Sequence, residues 1–530
     1  MRFKPDNVFN FLVDTDFLSP FQSGFLPGDS TVNQLTFLYN SFSQAIDSGK
    51  EVRVIFFDIS KAFDRVWHKG LITKLQALGL SREFIALLAD YLKNRRQRVV
   101  LPGAKSNWNC TKAGVPQGYI PGPLLFLIYI NDIVSNISSN IRLFADDTSL
   151  YLIINHRDQI IASTESLNAD ISAISKWASD WLVTFNPNKS ESLLISRKQN
   201  THLFPPLAMD HQPITEVTSH KHLGLYLSND CSWHTHIEYI KSKAWPKINI
   251  MRKLKYQLDR KSLETIYISF VRPLLEYGDV IWDNCTQYEK DELDKIQNEA
   301  ARICSGTTKL ISLYNLSNEI GWESLENRRK KHKLKMFYKM VNNISPPYLS
   351  SLVPSSVSAH SRYNLRNTQN LQVPFCRTNS YFHSFLPSVI RDWNSLSQEV
   401  KNSDSVDSFK RLLNMDKSPT PAHYYTGKRR AQVLHTRLRT KCSALNEELF
   451  SKGIVDSALC CCGLIENAYH FFFACPNYSH IRTELFNNVS QFCSLSLNNL
   501  LLGDRSQSNE TNMHIFKAVQ KFITESKRFL

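Results

Sequence analysis

Two adjacent carboxylates inside an apolar stretch constrain this chain most. In Asn140-Ile141-Arg142-Leu143-Phe144-Ala145-Asp146-Asp147-Thr148-Ser149-Leu150-Tyr151, apolar residues flank the acids on both sides. A short apolar run, two acids and a second apolar run predict a tight β-hairpin with the acids at its turn. Two acids packed together repel unless a cation lies between them. A divalent metal such as Mg²⁺, which prefers oxygen ligands, is the simplest candidate. An ordinary Asx-rich turn is the other interpretation of the same residues.

A second acid narrows the choice. Val52-Arg53-Val54-Ile55-Phe56-Phe57-Asp58-Ile59-Ser60 predicts a buried strand with Asp58 at its carboxyl end, where α/β architectures tend to place ligands. Ala62, Val66, Leu71, Leu75 and Leu78 then fall on one face of a predicted helix. Two strands can thus bring Asp58 and Asp146 to one point. Phosphoryl transfer by two metal ions about 4 Å apart needs that arrangement. Between the acids, Ala113 to Phe126 is dense in Gly and Pro, which breaks regular structure and lets backbone approach a ligand. An apolar helix is predicted from Leu124 to Val134, interrupted by Asp132. At about 11 residues it is too short for a membrane span.

Three segments carry a family resemblance. Phe57-Asp58-Ile59-Ser60-Lys61-Ala62-Phe63-Asp64, Gly114-Val115-Pro116-Gln117-Gly118 and Phe144-Ala145-Asp146-Asp147 resemble motifs A, B and C of reverse transcriptases. Order and spacing are similar to the non-LTR retrotransposon type, the jockey-like lineage in particular. The resemblance runs from about Phe17 to Leu227, and a looser one continues nearly to the C terminus. It implies an α+β right-hand polymerase, with partial fingers and palm over residues 1–228 and a helical thumb-like region over 229–345. Residues 346–425 would be a linker and a family-typical segment without assigned chemistry. Residues 426–530 would be a basic region with a small zinc-knuckle-like module.

The activity so implied is RNA-directed DNA polymerisation: a DNA primer is extended on an RNA template with deoxynucleoside triphosphates. By resemblance, Asp58, Asp146 and Asp147 hold two Mg²⁺ ions. Lys189, in the motif-D-like Asn186-Pro187-Asn188-Lys189-Ser190, protonates the pyrophosphate leaving group. Ile59, Phe63, Gln117 and Gly118 line the incoming nucleotide, with Phe63 filling the space of a ribose 2′-OH. From spacing alone, Phe63 also suits a core aromatic, Asp64 a helix cap and Lys189 a surface position. His222-Leu223-Gly224-Leu225-Tyr226-Leu227 resembles motif E, a β-hairpin gripping the primer end.

The chain also departs from the family. Tyr119 stands where a small residue is usual, and Pro121, which removes a donor and fixes φ, stands for an aliphatic. The fingers segment with its basic triphosphate-gripping residue and the N-terminal endonuclease of complete elements are expected to be missing, making this a truncated copy. A catalytically impaired nucleic-acid-binding remnant is therefore the alternative. A metal-dependent nuclease would use clustered acids equally well, but Gln117-Gly118 and the motif order argue against it.

Charge and cysteines supply the rest. The net charge of +15 suits a polyanionic partner. Lys93, Arg95, Arg96 and Arg98 form one basic cluster. Arg328, Arg329, Lys330, Lys331, Lys333 and Lys335 form the densest, a nucleic-acid contact, a localisation signal or a solvated helix face. Further basic residues run from Lys428-Arg429-Arg430 through Arg437, Arg439 and Lys441. Asp14 and Asp16 interrupt the apolar residues near the N terminus, so no signal peptide is predicted, and the odd count of 11 Cys argues against a disulfide framework. The expectation is an intracellular, non-secreted protein of nucleus or cytoplasm, with no membrane partner and an oligomeric state that the sequence does not give. Cys460, Cys462, His470 and Cys475 offer three sulfurs and an imidazole for a closed zinc site, or are reduced core cysteines. Cys461 is read as a bystander. Non-LTR elements often end in such a knuckle, which helps hold RNA. Ser30 or Thr31 is the predicted N-cap of a helix.

Overall fold

Every residue of Glu51–Phe57 is buried, so this Val/Ile/Phe-rich strand shows no polar alternation and must be covered on both faces. The computed structural model describes residues 5–116, 121–198, 204–357, 370–414 and 420–529. In it, β1 (Glu51–Phe57), β2 (Asn140–Phe144), β3 (Asp147–Ile154), β4 (Glu191–Ile195) and β5 (Thr215–Glu216) form one sheet in the order β5-β4-β1-β3-β2. Only the β4–β5 pair is parallel. The helix α1 (Thr31–Asp47) covers one face, with Phe42 edge-on to Tyr151 at 5.2 Å. Ser30 is its N-cap and accepts from the Asn33 N–H at 3.2 Å, as the sequence predicts.

Four helices cover the other face: α2 (His68–Ala77), α3 (Arg82–Leu92), α4 (Pro121–Ile130) and α5 (Ile160–Asp180). Leu71, Leu75, Leu88, Leu125 and Ile171 from these helices share a core with Ile55, Leu143 and Leu150 of the sheet. Truncating any such Leu or Ile to Ala typically costs about 2–5 kcal/mol. A β-hairpin of β6 (Ser219–His222) and β7 (Leu225–Ser228) follows the sheet, as predicted.

The single helix expected from Ala62 is instead a 3₁₀ turn at Ala62–Arg65, a break at Val66-Trp67, and then α2. The carbonyls of Phe63 and Val66 accept from the Val115 and Gly114 amides at 2.8 and 2.9 Å, so they cannot bond onward along a helix. Gly114 lies at φ +94°, where a Cβ would come 2.8 Å from the Asp64 carbonyl oxygen. The predicted apolar face survives the break: Ala62, Val66, Leu71 and Leu75 are all buried. Among the described residues the next helix runs over Pro121–Ile130, so it already includes the three residues before Leu124, and Asn131–Val134 follows as a 3₁₀ turn.

The chain divides into two compact units, each built from discontinuous segments. The first comprises residues 1–236, 280–284 and 333–406, and the second 237–279, 285–332 and 407–530. In the first, the Asp47 carboxylate accepts from the Arg377 and Thr378 amides at 2.7–3.1 Å, which ties the unassigned segment to α1. The remaining helices used below are α6 (His234–Leu254), α7 (Arg260–Ile266), α8 (Gln287–Ser305), α9 (Leu313–Ile320), α10 (Leu325–Val341), α11 (Arg429–Arg439) and α12 (Asn509–Glu525). In the second unit, Leu438, Phe471, Phe472, Val519 and Phe522 share a core.

Buried charge binds that unit together. Glu319 accepts from Arg260 at 2.6 Å and from Arg439 at 2.8 Å, and Arg260 also bonds Glu264. Burial alone would raise the Glu319 carboxyl, but Arg439 and Arg260 outweigh it and hold it below its ordinary value. The basic run of α10 is likewise turned inward. Arg328 pairs with Glu276, Lys331 with Glu323 and Lys333 with Asp283, and Arg329 is 2% exposed. Those residues are neither an open nucleic-acid surface nor a solvated face. Among the described residues, no helix is long and apolar enough to cross a membrane.

Candidate active site

The acids lie at the end of the central strands. Phe144 pairs with Asp147, so Ala145-Asp146 is the two-residue turn of the β2–β3 hairpin. Ala145 takes φ +55°, a conformation such turns demand. Gln22 holds it there, its Oε1 accepting from the Ala145 and Gly24 amides at 2.9 and 2.7 Å. A Cβ on Gly24 would come 2.1 Å from Ala145 N, so only glycine permits this approach. Sequence reasoning assigned no role to Gln22 or Gly24.

Register brings the third acid in. Phe57 faces Thr148 across the antiparallel β1–β3 pair. One further step places Asp58 opposite Asp147, next to Asp146. The charges interact. Desolvation, then Asp146 and Asp58, push the Asp147 carboxyl up to about 6. Asp146 is raised by desolvation and by Asp58, against a hydrogen bond from its own backbone. Three mutually repelling carboxylates fit a divalent cation well, since occupancy would relieve that repulsion.

Lys189 reaches the same point, its Nζ 3.9 Å from an Asp58 carboxylate oxygen and its side chain 68% exposed. The Asn186 amide donates to the Asp58 carbonyl at 2.9 Å and the Ser60 amide to the Thr184 carbonyl at 2.9 Å, which fastens the Lys189 turn to Asp58. Phe63 stacks on Phe126 at 4.6 Å and meets Phe25 edge-on at 5.9 Å, half-buried. It therefore packs on the core while keeping part of its ring open. Ile59 is 7% exposed and packs in the core, so its main chain is the part next to the site. Asp64 makes no cap bond to its own turn, nor does α2 have a side-chain cap. Gln117, Gly118 and Tyr119 lie outside the described residues.

Beneath the site, Lys74 is a buried cation that spacing did not reveal. It donates to Asp132 and to the Tyr129 carbonyl at 2.5 Å and sits 3.8 Å from the Trp181 ring centre. Burial, opposed by Asp132, lowers its pKa to about 8. Lys93 follows the end of α3, and Arg96 and Arg98 continue into an exposed two-stranded arm reaching Cys110. The cluster is thus more than a helix end. Arg98 stacks on Trp108 at 4.5 Å.

A second cluster lies in the second unit. One donor atom each from Cys460, Cys462, His470 and Cys475 falls within 4.8 Å of all the others. Cys460 Sγ lies 3.8 Å from Cys475 Sγ, and Cys462 Sγ lies 3.2 Å from His470 Nε2. Gly463, at φ +88°, closes the turn by donating to the Cys460 carbonyl. Three thiols and an imidazole converging this way fit a tetrahedral zinc ion. Cys461 is exposed, with its sulfur accepting from Asn477 at 3.0 Å.

Comparisons with known proteins agree with the palm geometry. Residues 7–234 match the family described as reverse transcriptase (RNA-dependent DNA polymerase). The probable RNA-directed DNA polymerase from the Drosophila melanogaster transposon BS is 25% identical over 61% of this chain and 36% of its own length. That from the X-element of the same species is 29% identical over 59% of this chain and 34% of its own. The polymerase of its mobile element jockey is 27% identical over 55% and 32%. The chain thus spans about a third of the length of these relatives. Apo telomerase from Candida tropicalis aligns over 65% of this chain and 54% of its own, with 12% identity and a TM-score of 0.34, too distant to carry an argument.

Proposed function

Since the chain carries a reverse transcriptase domain over residues 7–234 and is related to jockey, X-element and BS polymerases of non-LTR retrotransposons, we propose that it is an RNA-directed DNA polymerase. It extends a DNA primer on an RNA template with deoxynucleoside triphosphates. The convergence of Asp58, Asp146 and Asp147 on one rim of the sheet, with their charges coupled, carries this reading.

Bound Mg²⁺ would lower the pKa of the primer 3′-OH and neutralise triphosphate charge. Asp58, Asp146 and Asp147 would hold the metal ions through their carboxylate oxygens. Lys189, beside Asp58, gives a proton to the leaving pyrophosphate. Phe63, seated on Phe126, excludes a ribose 2′-OH, and the main chain at Ile59 borders the nucleotide. Gln117 and Gly118 belong to the same pocket by family resemblance. The β6–β7 hairpin steadies the primer end. The impaired-remnant alternative is not favoured: Asp58, Asp146 and Asp147 are all in place.

Primer extension on an RNA template, comparing the chain with Asp146→Ala, tests this. Extension should fall to background in the variant. Equal extension by both would refute the assignment, and a folded wild type that binds RNA without extending it would restore the remnant. The zinc assignment has its own readout: about one zinc per chain by metal analysis, lost in Cys475→Ser.

A further inference from the structure

The second unit holds a cleft that the polymerase assignment does not use. Its volume is about 330 Å³, and Arg252, Lys255, Arg302, Lys309, Arg429 and Arg437 line it. Glu299 is the one carboxylate in the lining, and it already serves Arg252 at 3.0 Å and Arg302 at 3.6 Å. Six cations against one anion leave a surplus of positive charge in a recess of ligand size.

The recess is built rather than incidental. The Arg429 guanidinium donates to the carbonyls of Ile303 and Cys304 at the end of α8, both at 2.6 Å, and to that of Lys255 at 3.1 Å. Arg437 donates to the Gly306 carbonyl at 2.8 Å. These bonds fix two guanidinium planes without neutralising them. Gly306 lets α11 approach, since a Cβ there would meet Val433 Cγ2 at 2.3 Å. Burial, with the charges of Arg260 and Arg437, holds the Arg429 pKa below its ordinary value. Arg302 Nε is buried with no acceptor among the described residues. At the rim, Tyr256 is 74% exposed beside Lys255.

Fixed guanidiniums, mobile lysines and an open aromatic ring match one ligand chemistry: phosphodiesters followed by an unstacked base. We propose that this cleft binds an unpaired segment of RNA, with phosphates against Arg429, Arg437, Lys255 and Lys309 and a base on Tyr256. It is a docking point separate from the carboxylate rim. The assignment rests on the polymerase reading only for the identity of the anion as nucleic acid.

The test is fluorescence anisotropy with a labelled single-stranded RNA and a blunt RNA duplex, without Mg²⁺ or nucleotides and without chelator, so that polymerisation plays no part and bound zinc is kept. The full chain carrying Asp146→Ala serves as the parent. Adding Lys255→Glu with Lys309→Glu should weaken single-strand binding about ten-fold or more. Tyr256→Ala should cost a similar factor for the single strand and nothing for the duplex. These are exposed or rim positions, and an unchanged thermal melt shows that the fold is kept. Unchanged RNA affinity in both variants would overturn the proposal. So would equal losses for single strand and duplex on Tyr256→Ala, or inorganic phosphate competing at concentrations that mark a free-anion site. Loss of primer extension with the variant effects intact would remove the polymerase reading and leave this one standing.

Discussion

Asp147 shows how the crowding of the three acids registers at one residue. Its ordinary carboxyl value is 3.8, and its neighbours lift it to about 6. A raised acid binds its proton more tightly in the folded chain than in the unfolded one. Between about pH 4 and pH 6 the contribution of Asp147 to the stability of the metal-free protein therefore falls as pH rises, while buried His222 and His236, held low by burial, contribute with the opposite sign. Thermal melts at pH 4.5 and 6.5 of the chain and of Asp147→Asn isolate it: relative to the variant, the unsubstituted chain should lose stability between the two pH values, and Mg²⁺ should reverse that difference. No difference between the two chains would place the coupling elsewhere. Phe63 makes a related point. The ring was open to two interpretations from spacing, a core aromatic or a gate. The stack on Phe126 supports one face while part of the ring stays exposed, which is compatible with both and leaves the gate a proposal.

At the scale of elements, hydrogen-bond competition explains what periodicity missed. The apolar spacing after Asp58 suits a helix, yet Gly114 and Val115 capture the carbonyls that a helix would need. Helix α10 teaches the same lesson about charge: six Lys and Arg within residues 328–335 look like a surface, but acids outside the helix reach several of them. Glu319 in α9 is the strongest such tie, joining α7 to α11. Glu319→Ala would leave Arg260 and Arg439 buried without their carboxylate, a loss of about 3–5 kcal/mol. Denaturant unfolding of the second unit would show it; a loss below about 1 kcal/mol would mean that the pair contributes as little as an exposed ion pair.

For the whole molecule, the net charge of +15 favours a polyanionic partner, but only Lys and Arg that remain open at the interface can neutralise phosphates. Many cations are committed internally, as at Arg260, Arg328, Lys333 and Arg439. Single-strand binding should therefore fall with salt with a log–log slope of about −3 to −7, corresponding to roughly five to ten phosphates. A slope near zero in a titration from low to physiological salt would contradict a phosphate-led interface. The division into units has the same origin as the lost cations. Glu319 and Arg439 lie 120 residues apart, so no local composition shift could announce that they share one unit.

The sequence by itself determined the Asp146-Asp147 hairpin, the strand that ends at Asp58 and the spacing of the Cys460, Cys462, His470 and Cys475 set. Each depends on neighbours a few residues away, through strand alternation, turn geometry or ligand spacing; the hairpin around His222–Leu227 was legible only through family resemblance. Only the tertiary structure decided that Gln22 and Gly24 hold the Ala145 turn, that Lys74 is buried on Asp132, and that Arg429 and Arg437 wall a cleft with Tyr256 at its rim. Those arrangements join residues tens to more than a hundred positions apart. Hydrogen bonding and burial decide them after the chain has folded, and residue type alone does not distinguish an inward arginine from a solvated one.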